Sequence, residues 1–211
     1  MALLVRHIGP GPAVFDPRSE YLLCVHGEPR CDGVRSFLAS RGIAPGKGVR
    51  IGPLSQDTVS GLGNQKNEEL LSRIAAHDAD IYPSTLALLV ELRRGGFCTG
   101  LITSSRNGTV ILDSANVGDA FDVIIDGKVA EQRHLPGKPS PDVFVAAVSD
   151  PGVTPARSVV VEDAISGVAA GHAGRLGLVI GVARQDNGEA PLAAGADVVV
   201  IDLAAVSTVG S

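Results

Sequence analysis

Aromatic residues are scarce in this sequence, with five Phe, two Tyr and no Trp among 211 positions. The core must therefore be built mainly from Val, Leu, Ile and Ala, as in α/β proteins whose 26 glycines and 13 prolines serve short connections. Cysteine is also rare. Cys24, Cys31 and Cys98 are odd in number and show no CxxC spacing, so neither a disulfide framework nor a zinc site is indicated. A reducing cytoplasm is the compartment that suits them. Positive charge is in deficit, 18 Lys and Arg against 23 Asp and Glu, for a net charge of -5. That leaves no basic field for phosphate backbones, and no aromatic and basic residues interleave as a stacking platform, so nucleic acid is not an expected partner. No apolar run approaches the length of a membrane span, so no membrane association is expected. The opening MALLVRHIGPGP is broken by Gly9 and Pro10 and is too brief for the hydrophobic part of a signal peptide. Internal repeats and low-complexity tracts are absent.

At 45% hydrophobic residues, the chain can bury one full domain with a smaller one attached. From about residue 84 onward, helix-period segments alternate with strand-like ones, the pattern of a parallel sheet flanked by helices. STLALLVELRRGG reads as a helix with Ser84 as N-cap and Leu86, Leu89 and Val90 on one face. FCTGLIT, FDVIID, SVVVED, GLVIGVAR and ADVVVIDL read as strands, and TVILDSANVG, SPDVFVAAVSD and AISGVAAGHAG as helices. The strand runs are apolar throughout, as expected when helices cover both faces. Residues 20 to 80 differ, with helix candidates CDGVRSFLASRG and GNQKNEELLSRIAAH and no convincing strand. Val34, Phe37 and Leu38 share a face of the first, and Leu70, Leu71 and Ile74 of the second. This is a small helical domain, ending near Ile81 to Ser84, where Pro83 breaks the pattern.

Three polar clusters fall where strands are expected to end, the place where open parallel sheets bind ligands. Thr103-Ser104-Ser105-Arg106-Asn107 combines hydroxyls with a helix start and reads as an anion site or as an ordinary cap. Lys138, in Gly137-Lys138-Pro139, is a point charge suited to a phosphate, or a solvated surface lysine. Glu162 and Asp163 offer oxygen ligands to a hard cation, although Asp163 also reads as an N-cap. Jointly, a hydroxyl, a lysine and an acid pair at successive strand ends are the equipment of magnesium-assisted phosphoryl transfer.

The order and wording of these motifs resemble the haloacid-dehalogenase superfamily, with ITSSRN as its second motif, GKPSPDVF as its third and VVVEDAISGVAAG as its fourth. The SSRN wording and the helical domain resemble the β-phosphoglucomutase branch. The resemblance covers roughly residues 20 to 203. It implies an α/β, Rossmann-like parallel sheet flanked by helices over 83–211, a helical cap over 19–82 and an irregular N-terminal segment over 1–18. By the same resemblance Thr103 hydrogen-bonds the transferring phosphoryl group, Lys138 neutralises it, and Asp163 with Glu162 holds Mg2+. Ser104, Ser105, Arg106 and Asn107 then line the substrate pocket, while Arg30 and Lys66 in the cap meet the sugar phosphate; the bland reading of those two is solvated helix-surface charge. The expected partner is a small phosphorylated sugar, and the expected state a monomer or weak dimer.

The family's opening strand ends in a DxDG motif that supplies nucleophile and acid/base, and no DxDG occurs in this sequence. Asp16, in AVFDPR, is the candidate nucleophile, with Arg18 in the acid/base position. Asp16 lies only 14 residues before Arg30, too short a stretch for a strand, a hinge and the first cap helix. The expectation is that this strand and helix are missing. In the family that strand lies between those bearing the second and fourth motifs, so its slot would present two unpaired edges, to be filled by residues 2–5 or 13–15. The functions expected are impaired phosphoryl transfer on a sugar phosphate or, alternatively, binding without catalysis or a truncated product.

Overall fold

In a computed structural model the described residues are 25–43, 58–76, 81–183 and 188–208. The chain divides into two compact units, 1–78 and 79–211, slightly upstream of the cap boundary expected at residue 82. Asp16 and the segments 2–5 and 13–15 lie outside the described residues.

In the N-terminal unit, α1 (Arg30–Ser40) packs against α2 (Val59–Ala76). Val34, Phe37 and Leu38 are buried on α1, as their spacing predicts, with Phe37 fully enclosed at 0% exposure. The expectation for α2 is corrected. Its buried apolar side chains are Val59 and Leu62 in the first turns, whereas Leu70 is exposed and Leu71 and Ile74 are only half-buried. The reason is one of length: α1 has 11 residues against 18 in α2, so a helix rising 1.5 Å per residue covers only part of its partner. Val25, Val34, Phe37, Leu38, Val59 and Leu62 form the small core of this unit.

The C-terminal unit opens with α3 (Pro83–Arg94). Pro83 takes the first helical position, where its missing N–H is not needed, and the residue before it, Tyr82, is the N-cap. Ser84 is therefore not the cap, and its hydroxyl is buried without a hydrogen-bond partner. The packed face is likewise corrected to Leu88 and Leu92, against Val182 and Leu203, while Val90 is exposed. Then follow β1 (Gly100–Ile102), α4 (Gly108–Ser114), β2 (Val123–Ile125), α5 (Gly127–Gln132) and α6 (Asp142–Ser149). The chain continues through β3 (Val159–Glu162), α7 (Ile165–Ala173), β4 (Leu178–Val182), α8 (Glu189–Ala193) and β5 (Val198–Val200).

All ladders in this unit are parallel, which requires crossover helices between strands. Among the described residues they form two ladders, β1–β2 and β3–β4–β5, with no strand joining β1 to β3. One hydrophobic core nevertheless spans both. Ile125, Phe144, Val160, Val168 and Val179 meet in it, with Ile102 and Val123 packed against them. The α6 helix lies against β1 and β2, and α7 against β3 and β4. Coverage of both sheet faces is not complete: β3 alternates, with Val159 58% exposed and Val161 also exposed. Helices sit over one face of β3, and the side chains of its other face stay in contact with solvent.

Candidate functional site

Thr103 directly follows β1, and its N–H donates to Ile125 O at 3.0 Å, extending the β1–β2 ladder by a residue. Its hydroxyl accepts from Ser105 N at 3.2 Å, and the Ser105 hydroxyl accepts from Asn107 N at 3.2 Å. The two hydroxyls thus build a tight turn ahead of α4, rather than capping it; the N-cap position is Asn107, whose side chain makes no cap bond. The turn is pressed against the end of β2. A Cβ on Gly108 would lie 2.9 Å from Asp126 Cβ, and one on Gly127 would lie 2.7 Å from Ser104 O. Gly127 N donates to Ser105 O at 2.9 Å. Arg106 reaches across to Glu131 on α5 in an ion pair whose side chains stay partly exposed.

Asp126 was not among the residues expected here. It is 2% exposed, and its Oδ1 accepts from Lys128 N and Val129 N, both at 2.9 Å. A carboxylate at an N-cap compensates the unpaired amides of the first turn, so Asp126 fixes α5 behind the Thr103 turn. It ends the strand FDVIID, so the strand-end rule that singled out the other clusters applied to it as well.

Lys138 is no surface lysine. It is 8% exposed, its ammonium pairs with Glu162, and it lies 5.1 Å from the centre of the Phe144 ring. Burial pulls its pKa down to about 8, with the Asp163 charge opposing. Glu162 ends β3 and is equally buried, at 8% exposure; its other oxygen accepts from Ala164 N at 3.2 Å. Asp163 is exposed and is not an N-cap, since Ala164 holds that position with no side-chain cap bond.

The expected acid pair is therefore divided: Glu162 serves Lys138, and Asp163 faces solvent. Among the described residues no group of three or more His, Cys, Asp or Glu converges as a metal cage. Magnesium commonly takes one or two carboxylates and fills its remaining positions with water and substrate phosphate, and Asp163 fits that sparse pattern.

In the N-terminal unit the structure brings Arg30 and Lys66 together. Arg30 Nη2 donates to Asn67 Oδ1 at 2.7 Å, and its stem lies where Gly63 has no side chain, 3.2 Å from the Cβ position. Burial, and then the Arg30 charge beside it, push the Lys66 pKa below the ordinary lysine range. Both side chains are half-buried, and the two like charges lie side by side.

Haloacid dehalogenase-like hydrolases match residues 30–175 of this sequence. The chain belongs to the haloacid dehalogenase-like hydrolases. Within them it falls in the β-phosphoglucomutase-like branch. It is 40% identical to the β-phosphoglucomutase of Mycobacterium bovis over 195 residues, covering 90% of this chain and 74% of that protein. In fold it is similar to the crystal structure of β-phosphoglucomutase from Clostridium difficile, with a TM-score of 0.74 at 23% identity, covering 97% of this chain and 82% of that one. CbbY from Rhodobacter sphaeroides, solved in complex with phosphate, gives a TM-score of 0.70 at 22% identity, over 95% of this chain and 84% of that one. The α/β fold expected from the alternation of helices and strands is that of this hydrolase family.

Proposed function

We propose that this haloacid dehalogenase-like hydrolase binds a small phosphorylated sugar and transfers its phosphoryl group, with turnover slowed by its altered first motif. The observation that carries the reading is the buried, charge-paired Lys138, joined to Glu162 at the end of β3, next to Asp163. Burying an ammonium costs desolvation energy that its pairing with Glu162 offsets, and so placed it can meet the charge that develops on a transferring phosphoryl group. The relatives named β-phosphoglucomutase support the sugar phosphate as substrate class, and the phosphate complex of CbbY supports the anion.

In this reading Thr103 donates its hydroxyl to a phosphoryl oxygen, and Ser104, Ser105, Arg106 and Asn107 line the neighbouring pocket. Arg30 and Lys66 are the anion-binding residues of the N-terminal unit. Asp163, with Glu162 behind it, would hold Mg2+, which supplies charge neutralisation at the phosphate. Asp16 is the nucleophile that would form an aspartyl-phosphate. With Arg18 where the family has its second aspartate, the loss of acid/base assistance slows turnover by roughly 10²- to 10⁴-fold. The chain works as a monomer or weak dimer in the cytoplasm.

The absence of DxDG from the sequence favours a second reading, a protein that binds the sugar phosphate without turning it over. One assay separates the two. The chain is incubated with magnesium, β-glucose 1-phosphate and a trace of glucose 1,6-bisphosphate, following glucose 6-phosphate and free phosphate beside Asp16→Ala. Product that vanishes in Asp16→Ala supports catalysis. No product together with calorimetric binding supports the binding protein, and neither product nor binding overturns both.

A further inference from the structure

The carboxylate that pairs with Lys138 lies against a position that carries no side chain. Gly167 lies in the first turn of α7, directly over the Glu162 carboxylate. A Cβ there would sit 2.2 Å from Glu162 Cδ and 2.4 and 2.5 Å from its two oxygens. No side chain fits in that space with the carboxylate present. Gly171, one turn later in the same helix, is different. The nearest atoms to a Cβ there are side-chain atoms of Val160 and Val179, at 3.3 to 3.5 Å, a tight contact that a shift of a few tenths of an ångström relieves.

Helix propensity does not account for a glycine at 167, since Ala is favoured there by about 1 kcal/mol. What the missing side chain provides is room. The Glu162 carboxylate occupies it, one oxygen on Lys138 and the other on the Ala164 N–H, and Lys138 is thereby held beside the Phe144 ring. We propose that Gly167 is a positioning residue: its bare backbone forms the berth for the Glu162 carboxylate, and through that carboxylate it fixes the Lys138 ammonium. The consequence for turnover rests on the phosphoryl-transfer reading above; the consequence for the Lys138–Glu162 pair does not.

The test uses the full chain, with Gly167→Ala, the double variant Gly167→Ala/Glu162→Asp, and Gly171→Ala as a control on the same helix. A buried, paired lysine ammonium exchanges its protons slowly enough to be seen by nitrogen-15 NMR, and Lys138→Arg identifies its signal by removing it. The signal is expected in the parent and in Gly171→Ala, lost in Gly167→Ala, and regained in the double variant, whose shorter acid retreats from the new methyl. Where the parent turns over substrate, Gly167→Ala lowers kcat by roughly 10²-fold, as for misplacement of a catalytic group, with KM changed far less and the rate partly rescued in the double variant. A Gly167→Ala protein that keeps both the signal and kcat overturns the proposal. Should Gly167→Ala fail to fold, a double variant that folds supports the berth, and one that fails equally overturns it. A parent without turnover, but with the expected pattern of signals, removes the proposed function and leaves the positioning role standing.

Discussion

Replacing Lys138 by Met tests how far the C-terminal unit depends on the Lys138–Glu162 pair. The side chains are 6% and 8% exposed, so deleting the ammonium strands a carboxylate that has little access to water. Removal of one member of a buried pair costs roughly 3–5 kcal/mol. Glu162 keeps the Ala164 N–H, at 3.2 Å, which places Lys138→Met at the lower end, about 3 kcal/mol. For a chain of this size that lowers Tm by on the order of 10 °C. Glu162→Gln leaves the ammonium with the Phe144 ring and the Asp163 charge, and a loss of similar size is expected. The double variant Lys138→Met/Glu162→Gln removes both charges and should return to within about 1 kcal/mol of the parent, giving a large coupling energy in a double-mutant cycle.

The pH dependence sharpens the test. A stranded Glu162 has its folded pKa raised above the unfolded one, so the folded state of Lys138→Met binds the extra proton and regains stability as pH falls. Urea titrations at pH 5 and pH 8 should therefore show the larger deficit at pH 8. Single variants that each cost less than about 1 kcal/mol and add without coupling would refute the reasoning.

Three further outcomes are expected. Because Lys138 must be charged to neutralise a phosphoryl group and its pKa is about 8, kcat/KM should fall on an alkaline limb near pH 8; Glu162→Gln, by withdrawing a negative partner, moves that limb lower. Asp126→Ala leaves the Lys128 and Val129 amides without their acceptor and should cost about 2 kcal/mol by thermal melting, with a loss below about 0.5 kcal/mol showing that the cap is dispensable. Phe37→Ala empties the centre of a six-residue core and should cost about 3–5 kcal/mol, read as faster amide exchange in α1 and α2, and protection unchanged from the parent would contradict the packing.

Much of the architecture was written locally. The alternation of apolar strand runs with helix-period segments set the order of the strands, and FDVIID, SVVVED and GLVIGVAR each became a parallel strand, whereas the short helices α5 and α8 were not foreseen. Three motif residues were legible for the same reason: Thr103, Glu162 and Asp163 fall where an apolar run stops, and a chain records such a change of period in its sequence. Lys138 is a correction: it ends no strand and lies in the loop between α5 and α6. The side chain that caps a helix, and the face a helix buries, were less legible. Pro83 took the first turn that Ser84 was expected to open, and α2 packed through Val59 and Leu62, because its short partner covers only part of it.

The sequence by itself determined the α/β class, the strand-end placement of Thr103, Glu162 and Asp163, and the lack of a DxDG motif. Tertiary structure alone decided what those groups do to one another. Lys138 and Glu162 lie 24 residues apart, and no local pattern reports that both are buried and joined, or that Asp163, next in sequence, stays exposed. Nor does a glycine in a helix announce what it makes room for; the space over Glu162 exists only once α7 has packed against the end of β3. Burial and through-space pairing are properties of the assembled core, and they set the charge state on which the proposed chemistry depends.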